Sequence, residues 1–444
     1  MKKLAYCLIL VTLILNGCKE DEGSSPNNNR DGYVDENTAN TVTSFSPFAW
    51  RTAFHEKGID SDDNLYVFLR AKGNHQITED YKIITDRDNT LVKLDKDLKE
   101  VWQFPGVLPL NNEGAIYLDK NDNIYMTSGV SLAKISKDGN NLSSAALNQA
   151  GEALRVDALG NIYTFYADGS DRLFIRKINP NNEIEWSYSL IDGMKYIELS
   201  EDEKSLFVYG DEWISSIDLG TGGTEDGKLW TFNYSSNEVA YAPRQVRARS
   251  YDGGVVLALH KEGAGQEGIF YYTEIIRLDE TGKQVYSKRI VPKPGEKDFY
   301  CNGLTVFGDN YYLALNTIDG TITSLGGSGF PSTKAYIIKY DAATGSEVWR
   351  QHPRATFNDE FGGSISHLDM DINKGMMARD LIQSRVSGKL WTSFTFEVRP
   401  KREESGTDNI RNLGVTSAFG DFKNSQNFGE GGINLFSNIT SLSN

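Results

Sequence analysis

The chain has 444 residues, a formal net charge of −15 from 46 Lys+Arg against 61 Asp+Glu, 39% apolar residues, 42 Gly, 5 His and 3 Cys. That apolar share fills a sizeable core, which excludes a disordered chain, and the acidic balance excludes nucleic acid as a main partner, because phosphate neutralisation needs clustered Lys and Arg. So few His and Cys exclude a disulfide framework and leave little material for a His/Cys metal site.

Lys2 and Lys3 precede an apolar run, Leu4 to Leu15. The run is short of the roughly 20 residues that span a bilayer and fits the hydrophobic region of a secretory signal over residues 1–17. It ends in Leu15-Asn16-Gly17-Cys18, which resembles the bacterial lipobox. The resemblance implies cleavage before Cys18 and a diacylglycerol on its thiol, with no other cofactor. The next residues, Lys19, Glu20, Asp21 and Glu22, resemble the Lys-plus-acidic export signal of surface lipoproteins in Bacteroidetes-type bacteria. That implies an outer-membrane location facing the cell surface, with a periplasm-facing one as the alternative. Residues 18–44 read as a tether, since Gly23 to Asn40 is rich in Ser, Asn, Asp and Gly and has no hydrophobic period. Removing residues 1–17 removes two lysines and no acids, which leaves a body near −17.

From residue 45 the chain is a repeat array. An apolar stretch, an Asp/Asn/Gly turn and an alternating strand recur at Ile59 to Val67, Leu118 to Met126 and Val156 to Tyr163, with looser copies at Leu199 to Val208, Ser250 to Val256 and Val306 to Tyr312. Asp, Asn and Gly tolerate the backbone geometry that reverses a strand. A second half-unit follows each: a strand, another such turn, and a last strand carrying Trp102, Ser143, Trp186, Trp230, Tyr286 or Trp349. These markers are spaced 41, 43, 44, 56 and 63 residues apart, and extra loop residues such as Glu262 to Gly268 and Gly320 to Ser332 account for the longer steps. A four-strand unit of roughly 40–45 residues is the period of a β-propeller blade. The expected fold is all-β, a propeller of four-stranded antiparallel blades over residues 45–400.

The segment Asp341-Ala342-Ala343-Thr344-Gly345-Ser346-Glu347-Val348-Trp349 resembles the PQQ-like repeat of quinoprotein-type propellers, with degenerate copies at Asp218 to Trp230 and Asp279 to Tyr286. The resemblance implies that Trp102, Trp186, Trp230, Tyr286 and Trp349 dock between adjacent blades, received by Thr-Gly turns. Six blades are readable. A seventh is expected from Ser366 to Asp371, Gly375 to Ala378 and Lys389 to Phe396, and seven blades are favoured over eight. Phe48 to Phe54 is the candidate for a missing outer strand of the last blade, because a propeller must join its ends. Residues 401–444 are read as blade closure or an arm.

Candidate chemistry is sparse. Asp60 to Asn64 and Asp119 to Asn123 open like calcium loops, but Leu65 and Ile124 stand where the turn Gly belongs, so both read as inter-strand turns. A quinoprotein dehydrogenase would need a cofactor bed and usually a vicinal disulfide, and Cys301 stands alone. His55, His260 and His367 are scattered. Tyr234, Tyr241, Phe270, Tyr271 and Tyr272 read as blade packing, with sugar stacking as the lesser alternative. Arg247 and Arg249 share one face of a strand, beside Arg244, as a local basic stripe. The chain is therefore expected to be a non-catalytic, lipid-anchored interaction platform with outer-membrane protein partners; the alternative is a glycan-binding or glycan-cleaving propeller with an aromatic axial pocket and a titratable pair.

Overall fold

The computed structural model describes residues 35–36, 44–45, 53–70, 75–77, 83–85, 90–96, 99–104, 116–128, 131–146, 154–167, 173–189, 193–222, 227–234, 245–265, 268–290, 296–319, 332–351, 368–369, 377–378, 381–400 and 433–442. All its regular structure is β. Six consecutive sheets carry four-stranded antiparallel meanders, the first of them interrupted between its second and third strands by a separate hairpin, His75–Ile77 with Ile83–Thr85. Blade 1 comprises Ala53–Ile59, Leu65–Arg70, Thr90–Leu94 and Glu100–Gln103. Blade 2 comprises Ile116–Leu118, Ile124–Ser128, Ser131–Ile135 and Asn141–Ala146. Blade 3 comprises Leu154–Val156, Ile162–Ala167, Leu173–Ile178 and Ile184–Ser189. Blade 4 comprises Met194–Leu199, Ser205–Gly210, Trp213–Asp218 and Lys228–Asn233. Blade 5 comprises Gln245–Tyr251, Gly254–Gly265, Gly268–Leu278 and Gln284–Ile290. Blade 6 comprises Glu296–Phe307, Asn310–Asp319, Ser332–Asp341 and Glu347–Gln351, with Asp35–Glu36 added in parallel to the last of these.

The first strands of blades 1 to 6 lie side by side in chain order, which makes them the inner strands of a propeller. Its apolar interior is a series of wedges between blades. Tyr66 and Leu91 of blade 1 pack with Leu118, Ile124, Met126 and Ile135 of blade 2. Equivalent clusters join blades 2 and 3, 3 and 4, 4 and 5, and 5 and 6. Burying each such aliphatic side chain contributes about 1.5–3 kcal/mol, so neighbouring blades stabilise one another.

A further sheet follows blade 6. Leu390–Pro400 pairs antiparallel with Ile433–Leu442, and Ser44–Phe45 pairs with the outer side of the latter. The short strands Leu368–Asp369, Met377–Ala378 and Ile382–Gln383 pair with Leu390–Pro400. Ile382–Gln383 lies beside the first strands of both blade 6 and blade 1. Trp391 of this sheet is buried in a cluster with Ile59, Leu65, Val92 and Leu94 of blade 1.

Two expectations are corrected here. Ala53 and Phe54 begin the first strand of blade 1 instead of an outer strand of the last sheet. The turn after Ile59 forces the preceding residues to pair with those that follow, from Ile59 with Leu65 back to Ala53 with Arg70. Glu262 to Gly265 are strand, not loop: the middle hairpin of blade 5 continues to the Gly265–Gly268 pair. Residues 320–331 lie outside the described residues.

Candidate binding site

The Asp-rich turns between first and second strands are closed hydrogen-bond units. Asp60 is 1% exposed, and its Oδ1 accepts from the backbone N–H of Asp62 (3.0 Å) and of Asn64 (2.8 Å). Asn64 Nδ2 donates to both carboxylate oxygens at 3.0 Å, the Tyr66 hydroxyl donates to Oδ2 at 3.1 Å, and Lys93 Nζ stands 3.0 Å from Oδ2. Asp119 and Asp157 repeat the pattern with Asn123 and Asn161, and Tyr163 donates to Asp157 at 2.9 Å. Burial pulls the Asp60 pKa up, but the Asn64 donors and Lys93 outweigh it and hold the carboxyl below its ordinary value. The carboxylates that resembled calcium ligands thus already serve their own turns. Residues at the tip of each turn reach the next blade. Ser61 Oγ donates to Asp122 at 2.5 Å, and the Ala158 N–H donates to Glu203 at 2.8 Å.

The five ring positions lie on outer strands, half-buried. Trp102 Nε1 donates to Lys137 O of blade 2 at 3.1 Å. Trp230 Nε1 donates to Glu280 O of blade 5 at 2.8 Å, and the Tyr286 hydroxyl donates to Ala342 O of blade 6 at 3.0 Å. Gly139, Gly222, Gly282 and Gly345, all at positive φ, lie directly under Trp102, Trp186, Trp230 and Tyr286. At Gly282 (φ +78°) an added Cβ would stand 2.7 Å from Trp230 Cε3. Trp349 lies 6.0 Å, centroid to centroid, from the Tyr312 ring of its own blade. Burial pushes the Tyr286 hydroxyl up to about 12.

The inner strands bring together a charged rim. Arg155 (blade 3) places Nε 3.0 Å and Nη2 2.5 Å from Glu198 Oε2 (blade 4), and its guanidinium lies 5.6 Å from the Tyr117 ring centroid (blade 2). Arg249 (blade 5) approaches the same Glu198 oxygen at 3.6 Å. Arg247 Nε donates to Asn302 O of blade 6 at 3.2 Å. Along the inner strand of blade 5, Arg247 and Arg249 alternate with the buried Val246 and Ala248, the period-two pattern of a strand. Burial raises the Tyr117 pKa, with Arg155 opposing it, and raises that of Tyr209, with Glu198 adding to the rise. Burial opposes the charge on Arg155, and Glu198 together with Tyr117 and Tyr209 more than compensates. Arg247 and Arg249 are legible in the sequence as a stripe, whereas Arg155 and Glu198 are not, because single charges on short strands carry no pattern of their own.

The remaining candidates are dispersed. His260 is buried in the second strand of blade 5, and Cys301 is buried in the first strand of blade 6. Tyr234 is buried, its hydroxyl donating to Gly210 O and, at 2.9 Å, to Trp213 O. Tyr272 faces Arg289, whose guanidinium lies 4.1 Å from its ring centroid. Among the described residues no group of three or more His, Cys, Asp or Glu is placed to hold a metal ion. Cys18, Lys19, Glu20, Asp21, Glu22, Tyr241, Arg244 and His367 lie outside the described residues.

No family model matches the sequence, and no curated protein does. Among solved structures, the chain is similar to the β-propeller domain of Cps50 (Swd1) from Myceliophteria thermophila, at 9% identity and a TM-score of 0.50, covering 91% of this chain and 100% of that one. A protein of unknown function from Bacteroides caccae matches at 15% identity and a TM-score of 0.37, covering 61% and 92%. The Pan2 WD40 domain of Neurospora crassa matches at 8% and 0.37, covering 62% and 84%. The likeness is one of fold.

These findings correct the identification as an outer-membrane lipoprotein with PQQ-like repeats. The fold likeness that spans the chain runs to a fungal propeller domain, and no family model supports a quinoprotein-type assignment. The diacylglycerol on Cys18 and the outer-membrane or cell-surface location, which were read from Leu15 to Glu22, are corrected with it, since the likeness that spans the chain is to the Cps50 (Swd1) propeller domain. The physical reason is in the repeat itself. An Asp-closed turn, a positive-φ Gly and a ring one strand later are what twisted sheets need in order to pack, so the Asp341 to Trp349 pattern reports propeller packing instead of one family's ancestry.

Proposed function

We propose that the chain is a non-catalytic protein-interaction platform. The observation that carries this reading is the use of polar residues within the repeat. The turn aspartates Asp60, Asp119 and Asp157 are each engaged by donors of their own turn. The ring residues Trp102, Trp186, Trp230, Tyr286 and Trp349 act as blade-docking residues in the same reading. We further take the sheet after blade 6 as a seventh blade, closed by the strand from residues 401–444. Its support is the position of Ile382–Gln383 between the inner strands of blades 6 and 1. Similarity to a solved β-propeller domain supports the reading at the level of fold.

The test is mild cross-linking of the tagged full-length chain in its native cells, followed by mass spectrometry of the purified adducts. Reproducible adducts with a small set of proteins, mapping to blade surfaces, are expected. Recovery of the uncross-linked monomer alone would overturn the proposal.

A further inference from the structure

We infer that Arg249, in the arginine rim of the inner strands, binds a single carboxylate of a partner segment, an inference that rests on the interaction-platform reading. Arg155 of blade 3 and Arg249 of blade 5 are met on these strands by Glu198, Arg247 donates to Asn302 O, and Lys195 is already paired with Asp211 at 2.5 Å. Glu198 is held by Arg155 through both Nε and Nη2. Arg249 is differently placed. Its Nη1 donates to Ala248 O at 2.8 Å and stands 3.6 Å from Glu198, beyond hydrogen-bond length. Among the described residues no acceptor meets its Nε or Nη2, and its side chain keeps 29% of its exposure. A guanidinium fork with two unmet parallel donors matches the two oxygens of a carboxylate.

A phosphate would also fit the fork, so inorganic phosphate enters the test below as a competitor. The acidic body as a whole, at −15, repels long polyanions, whereas one carboxylate on an otherwise neutral segment meets little of that field. The shared ligand chemistry is therefore a single carboxylate, from an Asp or Glu side chain or from a chain terminus.

Fluorescence anisotropy on the full-length protein at low salt tests this with three labelled peptides. The first carries one Glu in a Gly/Gln sequence with an amidated end, the second has Gln in place of that Glu, and the third is the Gln peptide with a free terminal carboxylate. Binding of the first or the third over the second is expected, and which of the two binds identifies the source of the carboxylate. Arg249→Gln should weaken that binding about tenfold, and Arg249→Lys should restore part of it. The exposed-site control Lys204→Gln should leave it unchanged, and thermal melts should show that all variants fold. Equal binding of all three peptides, equal effects of Arg249→Gln and Lys204→Gln, or displacement by inorganic phosphate at concentrations where acetate fails would overturn the inference. The two proposals fail separately. If the cross-linked partners persist and do not change in Arg249→Gln, the platform stands and the carboxylate site falls; if no partner is found but the peptide effects hold, the reverse follows.

Discussion

At the scale of single residues, the Asp of the first turn has two tasks that sequence pattern separates only in part. The Asp-x-x-x-Asn spacing made the turn legible, because an Asp oxygen that accepts from the second and fourth backbone N–H groups after it is a local geometry. The contribution of Tyr66 and Lys93 was not legible, since one comes from the next strand and the other from the third. Lys93 is 7% exposed at its side chain, so Asp60→Ala leaves a buried ammonium without its carboxylate. A loss of about 3–5 kcal/mol is expected by denaturant titration, and Asp60→Asn should lose less. The pH dependence has a definite sign. The folded-state pKa of Asp60 lies below the ordinary value of 3.8, so its stabilisation is complete above that value. It is lost as pH falls through the folded pKa. The melting-temperature gap between wild type and Asp60→Asn should therefore be full at pH 7 and shrink below about pH 4.

At the scale of the element, the ring of one blade and the second turn of the next form one packing unit. Gly139, Gly222, Gly282 and Gly345 receive Trp102, Trp186, Trp230 and Tyr286. The corresponding turn of blade 3 has Asn182 at φ 65°, and the blade before it carries Ser143 in place of a ring. A side chain is tolerated in the left-handed conformation where no ring presses on it. Gly282→Ala combines the left-handed penalty of roughly 1–2 kcal/mol with displacement of Trp230. A total loss of about 2–3 kcal/mol is expected from equilibrium unfolding, whereas Asn182→Gly should change stability by less than about 0.5 kcal/mol. Equal effects at both positions would refute the packing unit. The period of Trp and Gly was readable in the chain because Trp is rare and the Gly of the next turn answers the same steric demand. The charged rim was not, because Arg155, Glu198 and Arg249 meet only after three blades have stacked.

At the scale of the whole molecule, the inner strands run from blade 1 to blade 6, and the sheet after blade 6 lies against both ends of the series. Its turn reaches blade 1 directly: the Ser384 hydroxyl donates to Asp63, and the Ser387 hydroxyl donates to the same oxygen at 3.1 Å. Trp391, 2% exposed, fills the wedge beside Leu65 and Leu94. The pattern is weaker here, although Leu368–Asp369, Met377–Ala378 and Leu390–Pro400 fall in the expected segments, because the sheet also takes in the distant Ser44–Phe45 and Ile433–Leu442. No single stretch carries the period of a blade. That construction separates two perturbations. Trp391→Ala empties a wedge without removing a strand, and should cost about 3–5 kcal/mol while leaving the protein monomeric. Deleting residues 431–444 instead removes the strand that pairs with Leu390–Pro400 and strips Ser44–Phe45 of its partner. An eleven-residue strand is then left with one edge open, and an open edge of that length recruits another chain. The truncated protein should therefore form concentration-dependent dimers or larger species in sedimentation velocity, at concentrations where Trp391→Ala sediments as a monomer. A truncation that stays monomeric and as stable as wild type would show that the C-terminal strand plays no part in closing the propeller.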